Sequence, residues 1–99
     1  MAQFDVYEMA GGNKLVIDCQ SDLLSFLESR FVAPLVAKAD APKPGRRLNP
    51  IFSIEGVEHV MLAQYSAAID RRQLGAVVVS LADRSFEITD ALDVLISGV

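Results

Sequence analysis

A single cysteine and a single histidine set the first limits on this 99-residue chain. One cysteine closes no internal disulfide, and Cys19 lies in an apolar, strand-like run, which points to a reducing compartment and so to the cytoplasm. One thiol and one imidazole, His59, fall short of the three or four converging ligands of a structural zinc ion. They also give no evident nucleophile and base, so no catalytic residue, metal or cofactor is expected. Cations are scarce as well: nine Lys and Arg stand against thirteen Asp and Glu, a formal net charge of -4. Residues 1–60 carry six cations and eight acids and residues 61–99 carry three and five, so neither part conceals a basic domain that would grip a phosphate backbone. The pairs Arg46-Arg47 and Arg71-Arg72 read as solvated loop charges. No apolar run approaches the roughly 20 residues that cross a bilayer, and no membrane contact is expected.

What is present is apolar and short in period. Slightly over half of the residues are apolar, enough for one folded domain over residues 1–99. Residues 3–8 alternate, with Phe4 and Val6 on one side and Asp5 and Tyr7 on the other, as a half-buried strand does. Gly11-Gly12-Asn13 tolerates left-handed backbone and leads into the β-branched run Leu15-Val16-Ile17-Asp18-Cys19, which makes an opening hairpin. Residues 21–31 carry Leu23, Leu24, Leu27 and Phe31 at the spacing of a short helix. Residues 31–36 read as a strand, and Pro34 places it at an edge or makes it irregular. Residues 38–50 hold the remaining prolines and form the longest loop. Beyond it, residues 51–54 and 58–64 form two strands around the turn Glu55-Gly56. Residues 75–80 are the strongest strand of the second half and are expected at the sheet's centre. From Ala82 the period lengthens: Ile88, Leu92, Leu95 and Val99, widened by Ala91 and Ile96, form one stripe, with Glu87, Asp90 and Asp93 opposite. Ser80 and Asp83 suggest a capping box, and Gly98 a helix stop. Short strands followed by one terminal helix fit a small twisted barrel or sheet with the helix laid against it.

Alternative chemistries are weak in this pattern. A hydrolase requires Cys19 and His59 within hydrogen-bond reach. Asp18 and Asp22 read as solvating a turn, and Asp90 and Asp93 as facing water. The terminal Ile96-Ser97-Gly98-Val99 stands apart, since two aliphatics flank a small flexible unit that is able to enter a partner's groove.

Gln3-Phe4-Asp5-Val6-Tyr7, the block Val16-Ile17-Asp18-Cys19-Gln20-Ser21-Asp22-Leu23, Pro34-Leu35 and the closing Leu95-Ile96-Ser97-Gly98-Val99 together resemble the CcdB family of toxin–antitoxin toxins. The resemblance spans the chain, and its early Asp-x-Gln-Ser-Asp block is the most specific part. It implies a mainly β fold, an SH3-like small barrel with a C-terminal α-helix, in a homodimer that is not an enzyme. It implies a toxin that binds the DNA gyrase A subunit and traps the cleaved gyrase–DNA complex, or else a non-toxic dimeric module that keeps only antitoxin binding and operon regulation. A short antitoxin protein is the implied partner, with DNA reached only through gyrase or the antitoxin complex.

By the same resemblance, gyrase binding falls on Ser21, Leu23, Asp93, Ile96, Ser97, Gly98 and Val99. Antitoxin binding falls on Glu8, Lys14, Asp90 and Asp93. The sequence departs from the best-known members where they carry tryptophan, phenylalanine and asparagine and it carries Ser97, Ile96 and Asp93. That departure implies weaker binding, retuning to another gyrase, or loss of binding in a chain that kept the fold. The dimer contact is expected in the second-half sheet, over residues 61–69, where small and apolar residues permit close approach.

Overall fold

The computed structural model describes residues 2–98. Strand β1 (Asp5–Met9) and strand β2 (Leu15–Asp18) form the expected opening hairpin, with Val6 opposite Ile17 and Glu8 opposite Leu15. Gly11 turns the chain at φ 73°, a backbone angle that costs a residue without Cβ little. Strand β3 (Ser29–Ala37) follows, then β4 (Ile51–Ile54), β5 (Val57–Met61), β6 (Ala67–Asp70), β7 (Leu74–Ser80) and helix α1 (Ser85–Ser97). All neighbouring strands are antiparallel. The order is β4-β5-β3-β2-β1-β7, with β6 also on β3. The result is a mainly β, curled half-barrel with one C-terminal helix, in keeping with an SH3-like small barrel.

The concave side holds the main core. Val6, Ile17, Ala33, Phe52, Ile54 and Met61 from the strands meet Ile88 and Ala91 from α1. Full burial of a side chain such as Ile88 contributes about 1.5–3 kcal/mol. Tyr7, expected on the polar side of β1, is buried with Val16 and Val32 on the other face, where Ile69 and Leu74 cover them. Strand β1 is therefore buried on both faces near its middle. The turn Glu55-Gly56 joins β4 to β5 with both residues at positive φ, 52° and 80°, as a tight two-residue hairpin requires.

Five local expectations are corrected. Residues 21–31 do not form a helix. A single 3-10 turn at Asp22–Leu24 is capped by Ser21, whose Oγ accepts the Leu23 N–H at 3.2 Å. Gln20 then bonds both sides of the segment, donating to the Leu24 carbonyl and accepting the Phe31 N–H, each at 3.0 Å. These tertiary bonds override the helical spacing.

Strand β3 is not an edge but the most extensively paired strand, bonded to β2, β5 and β6. It accommodates Pro34 because β6 pairs with Ser29 to Val32 and β5 with Leu35 to Ala37, leaving a gap between them. The Pro34 carbonyl accepts the Leu62 N–H at 2.9 Å on that side. In an antiparallel strand a residue's N–H and C=O point the same way, so the missing N–H falls in the gap.

Strand β7, expected at the centre, is an edge strand paired only with β1. Its register shifts twice: Val6 faces Val79, Tyr7 faces Val77 and Met9 faces Leu74, so β7 carries one extra residue at each step. Gly75 sits at the second shift, where an added Cβ would lie 2.9 Å from the Glu8 carbonyl.

No capping box forms. Ser80 Oγ accepts the Ala82 N–H at 3.2 Å, a 3-10 turn at Ala82–Arg84 intervenes, and α1 starts only at Ser85. The apolar stripe of α1 is buried in its first half alone, since Ile88 and Ala91 are covered while Leu95 and Ile96 are exposed. Gly98 does end the helix, left-handed at φ 78°, with its N–H on the Val94 carbonyl. The dimer contact expected over residues 61–69 is also narrowed. Met61, Leu62 and Ala63 are buried in the protomer's own core, which leaves Tyr65, Ala67 and Ala68 at the surface.

Candidate functional site

Three surfaces carry chemistry. The first is the end of α1 with the turn after β2. Leu23 is 88% exposed and Ile96 83%. Ser97 Oγ folds back to donate to the Asp93 carbonyl at 2.6 Å, so the helix remains closed up to its left-handed Gly98. Asp93 is exposed, Ser21 is occupied as a cap, and Val99 lies outside the described residues. No hydrogen bond or ion pair among the described residues joins the Ser21–Leu23 turn to the helix end. Phe26, 74% exposed, is a further bare apolar side chain and was missed; its signal was the density of large apolar residues from Leu23 to Phe31 once no helix consumes them.

The second surface is a groove of about 430 Å³ between the long loop and α1. Arg47 and Asp90 are not simply solvated. They form a two-pronged pair, Nε to Oδ2 at 2.9 Å and Nη2 to Oδ1 at 2.5 Å. The hydrogen bond from Arg47 holds the Asp90 carboxyl below its ordinary range. Arg84 is paired with Glu87 and lies over the Phe52 ring at 4.8 Å. Phe86 projects into solvent at the groove's rim. Of the expected antitoxin residues, Asp90 and Asp93 thus share α1, while Glu8 and Lys14 are exposed on the β1–β2 hairpin.

The third surface is a cleft of about 500 Å³ between the β1–β2 turn, the end of β3 and β5. Asn13 and Lys14 come from the turn, His59 from β5 and Asp40 from the 3-10 turn Lys38–Asp40, over an apolar floor that includes Leu35. Strand β3 brings them together because it pairs with β2 on one side and with β5 on the other, where Ala37 faces His59. His59 Nδ1 lies 3.0 Å from the Val57 carbonyl. A carbonyl only accepts, so the contact calls for a proton on Nδ1. Sequence reasoning took His59 as a surface or partly packed residue because nothing local ties it to Lys14.

Cys19 has no part in that cleft. Its thiol is buried and donates to the Ile17 carbonyl at 3.6 Å, and burial, followed by the neighbouring Asp18 charge, pushes its pKa up to about 12. The Cys19–His59 pairing that a thiol hydrolase needs is absent from the bonds of both residues. Asp18, expected to solvate a turn, is wholly buried. It pairs with the equally buried Arg30 at 3.0 Å to Nε and 2.5 Å to Nη2, and accepts the Gln20 N–H. Arg30 Nη1 has no partner. Among the described residues no three His, Cys, Asp or Glu side chains gather where they would share a metal ion.

The family model described as CcdB protein matches residues 3–98. No curated protein matches the sequence. Among solved structures, the chain is similar to an endoribonuclease in complex with its cognate antitoxin from a mycobacterial species. That match has a TM-score of 0.78 and 11% identity and covers 97% of this chain and 94% of the other. It is also similar to a chain of the MazE-MazF complex of Deinococcus radiodurans, with a TM-score of 0.73 and 16% identity, covering 98% and 95%. At these identities the likeness is one of fold.

These findings correct the resemblance where it spoke of action. The two structures just named are an endoribonuclease with its cognate antitoxin and a MazE-MazF complex, and neither is described as acting on gyrase. The recognition as a gyrase poison, the DNA gyrase A subunit as partner and the assignment of Ser21, Leu23, Asp93, Ile96, Ser97, Gly98 and Val99 to gyrase are therefore withdrawn, along with the alternative of a non-toxic dimeric module that keeps only antitoxin binding and operon regulation. So is the expectation of a protein that is not an enzyme, since an endoribonuclease has this architecture. The physical reason is that a half-barrel with a terminal helix fixes where surfaces lie, while the side chains on them decide the chemistry.

Proposed function

The chain belongs to the CcdB protein family, and on that premise we propose that it is the toxin subunit of a toxin–antitoxin pair, acting in the cytoplasm by cutting RNA and restrained by a dedicated antitoxin protein. The observation that carries this reading is the union of a toxin-family sequence with the fold of toxin chains solved beside their antitoxins. The cleft with its imidazole and ammonium groups supplies a place for the chemistry. No helix among the described residues is long and apolar enough to cross a membrane.

The antitoxin is proposed to lie along the β1–β2 hairpin and α1, touching Glu8, Lys14, Asp90 and Asp93. The half-exposed apolar end of α1 and Leu23 extend that surface, since an unstructured tail that folds on binding needs apolar anchors to offset its ordering cost. DNA contact is proposed to fall to the antitoxin. A homodimer through Tyr65, Ala67 and Ala68 is part of the same proposal.

Expression of the chain alone is expected to arrest growth and to fragment cellular RNA. Co-expression with the small protein encoded beside it is expected to restore growth and to yield a stable complex. Folded, abundant protein that leaves growth and RNA intact would overturn the reading.

A further inference from the structure

The groove between the long loop and α1, about 430 Å³, is of the size that holds one small molecule. Its charges are settled unevenly. Asp90 and Glu87 line it and are taken up by Arg47 and Arg84. Arg46 also lines it and forms no ion pair among the described residues, and neither does the exposed Lys43 beside it. Asp83 and Asp93 act on Arg84 and Arg47 but are not part of the lining. The uncompensated charge in the groove is therefore positive, in a chain whose net charge is -4.

The apolar lining offers ring faces. Pro44 and Pro50 stand on the loop side and Phe86, 80% exposed, on the helix side. The backbone, by contrast, is already spent. The Gly45 N–H donates to Asn49 Oδ1 at 2.9 Å and its carbonyl accepts the Asn49 N–H at 3.1 Å. The Pro50 carbonyl accepts the Met61 N–H at 3.0 Å, and neither proline has an N–H to give. An extended peptide laid here would gain no row of main-chain bonds. The Arg47–Asp90 pair also joins the loop wall to the helix wall, so a continuous strand would have that bridge to cross.

A planar ring with one phosphate needs what remains. We propose that the groove binds a free nucleoside 5′-monophosphate, its base against the Phe86 ring and its phosphate on Arg46, with Lys43 adding charge from the rim. A phenyl face takes a base by stacking, and a guanidinium holds two phosphate oxygens at once. The site is separate from the cleft beside His59 and stands whether or not the chain cuts RNA.

The test titrates purified full-length chain with adenosine 5′-monophosphate by calorimetry and follows backbone amide shifts on the same sample. One site per chain is expected, with shifts confined to residues 44–51 and 86–90. Adenosine alone and inorganic phosphate alone should each bind at least about tenfold more weakly, because each keeps only half of the contacts. Phe86→Ala should weaken binding about tenfold and Phe86→Trp should retain it. Arg46→Gln should weaken it about tenfold and flatten its dependence on salt. Both side chains are exposed, so circular dichroism and melting temperature should stay as in the wild type. Absence of binding at millimolar nucleotide, or shifts that fall elsewhere, would overturn the proposal. Phosphate that binds as tightly as the nucleotide would reduce the groove to an anion site and overturn the role of Phe86. A short single-stranded oligonucleotide held through Phe86 and Arg46 while the free nucleotide is not would overturn the choice of ligand.

Discussion

Two arginine–aspartate pairs of the same closest approach sit in opposite surroundings. Asp18–Arg30 lies inside the sheet, with side-chain exposures of 0% and 1%, while Arg47–Asp90 lies on the rim of the loop groove at 52% and 27%. Both arginines donate through Nε and Nη2, Arg30 to the single oxygen Asp18 Oδ2 and Arg47 to the two oxygens of Asp90, and each pair closes to 2.5 Å at its shorter contact. Distance therefore does not rank them. The inner pair has lost its water, so each partner depends on the other, whereas the outer pair exchanges one hydrated contact for another. The inner pair locks β2 to β3, and the outer pair only steers the long loop against α1.

Removing one inner partner should have the largest effect. Arg30→Met is expected to cost about 3–5 kcal/mol by leaving Asp18 charged and buried, measured as the shift in urea unfolding midpoint at neutral pH. Asp18→Leu together with Arg30→Met should cost less than Arg30→Met alone, because no charge is then stranded. Full recovery is not expected, since the Gln20 N–H loses its acceptor. A double variant no more stable than the single would show that packing, not charge, governs this region.

Cys19 extends the comparison to high pH. Its folded pKa, about 12, is raised above the value of about 8.5 in an unfolded chain. Its contribution is fully present below the unfolded value and is lost as pH rises towards the folded one. Stability should fall between about pH 9 and 12, and Cys19→Ala should flatten that slope. Alkylation of the thiol at pH 8 should follow unfolding, not the native state.

The outer pair should matter least. The Asp90 pKa is lowered by its bond to Arg47, so its small contribution is present above the ordinary carboxylate range and is lost as pH falls through the folded value. Asp90→Asn should leave the neutral-pH melting midpoint unchanged within error and remove part of the acid sensitivity. Added salt should weaken this pair and leave the inner one unaffected.

Legibility in the sequence followed the range of the interactions. The Gly11 turn, the Glu55-Gly56 turn and the first half of the α1 stripe were legible because each is decided within a few residues. The position of β7 was not, because three consecutive valines report strand propensity but not how many neighbours a strand acquires. For Pro34 the edge reading failed and the irregular one held: its missing donor matters only on one side of β3, and there the partner strand changes. The Asp18–Arg30 pair spans twelve residues and a turn read as helix. Lys14 and His59 come to line one cleft only because β3 pairs with β2 on one side and with β5 on the other, a tertiary arrangement that no local pattern announces. The helix end and the hairpin could be named as binding surfaces by resemblance, but the target that came with them could not be read from any residue.

The doubled register shift of β7 bears on how this protein behaves at high concentration. Ala76, Val77, Val78 and Val79 form an unpaired outer margin without a lysine or proline to discourage templating by a neighbour. What disrupts it is the pair of bulges, which bend the margin so that a straight strand finds few bonds in register. Deleting one of the extra residues of β7 is expected to straighten this margin into a better template for a second strand, so what guards it is irregular strand pairing and not a charge on the strand.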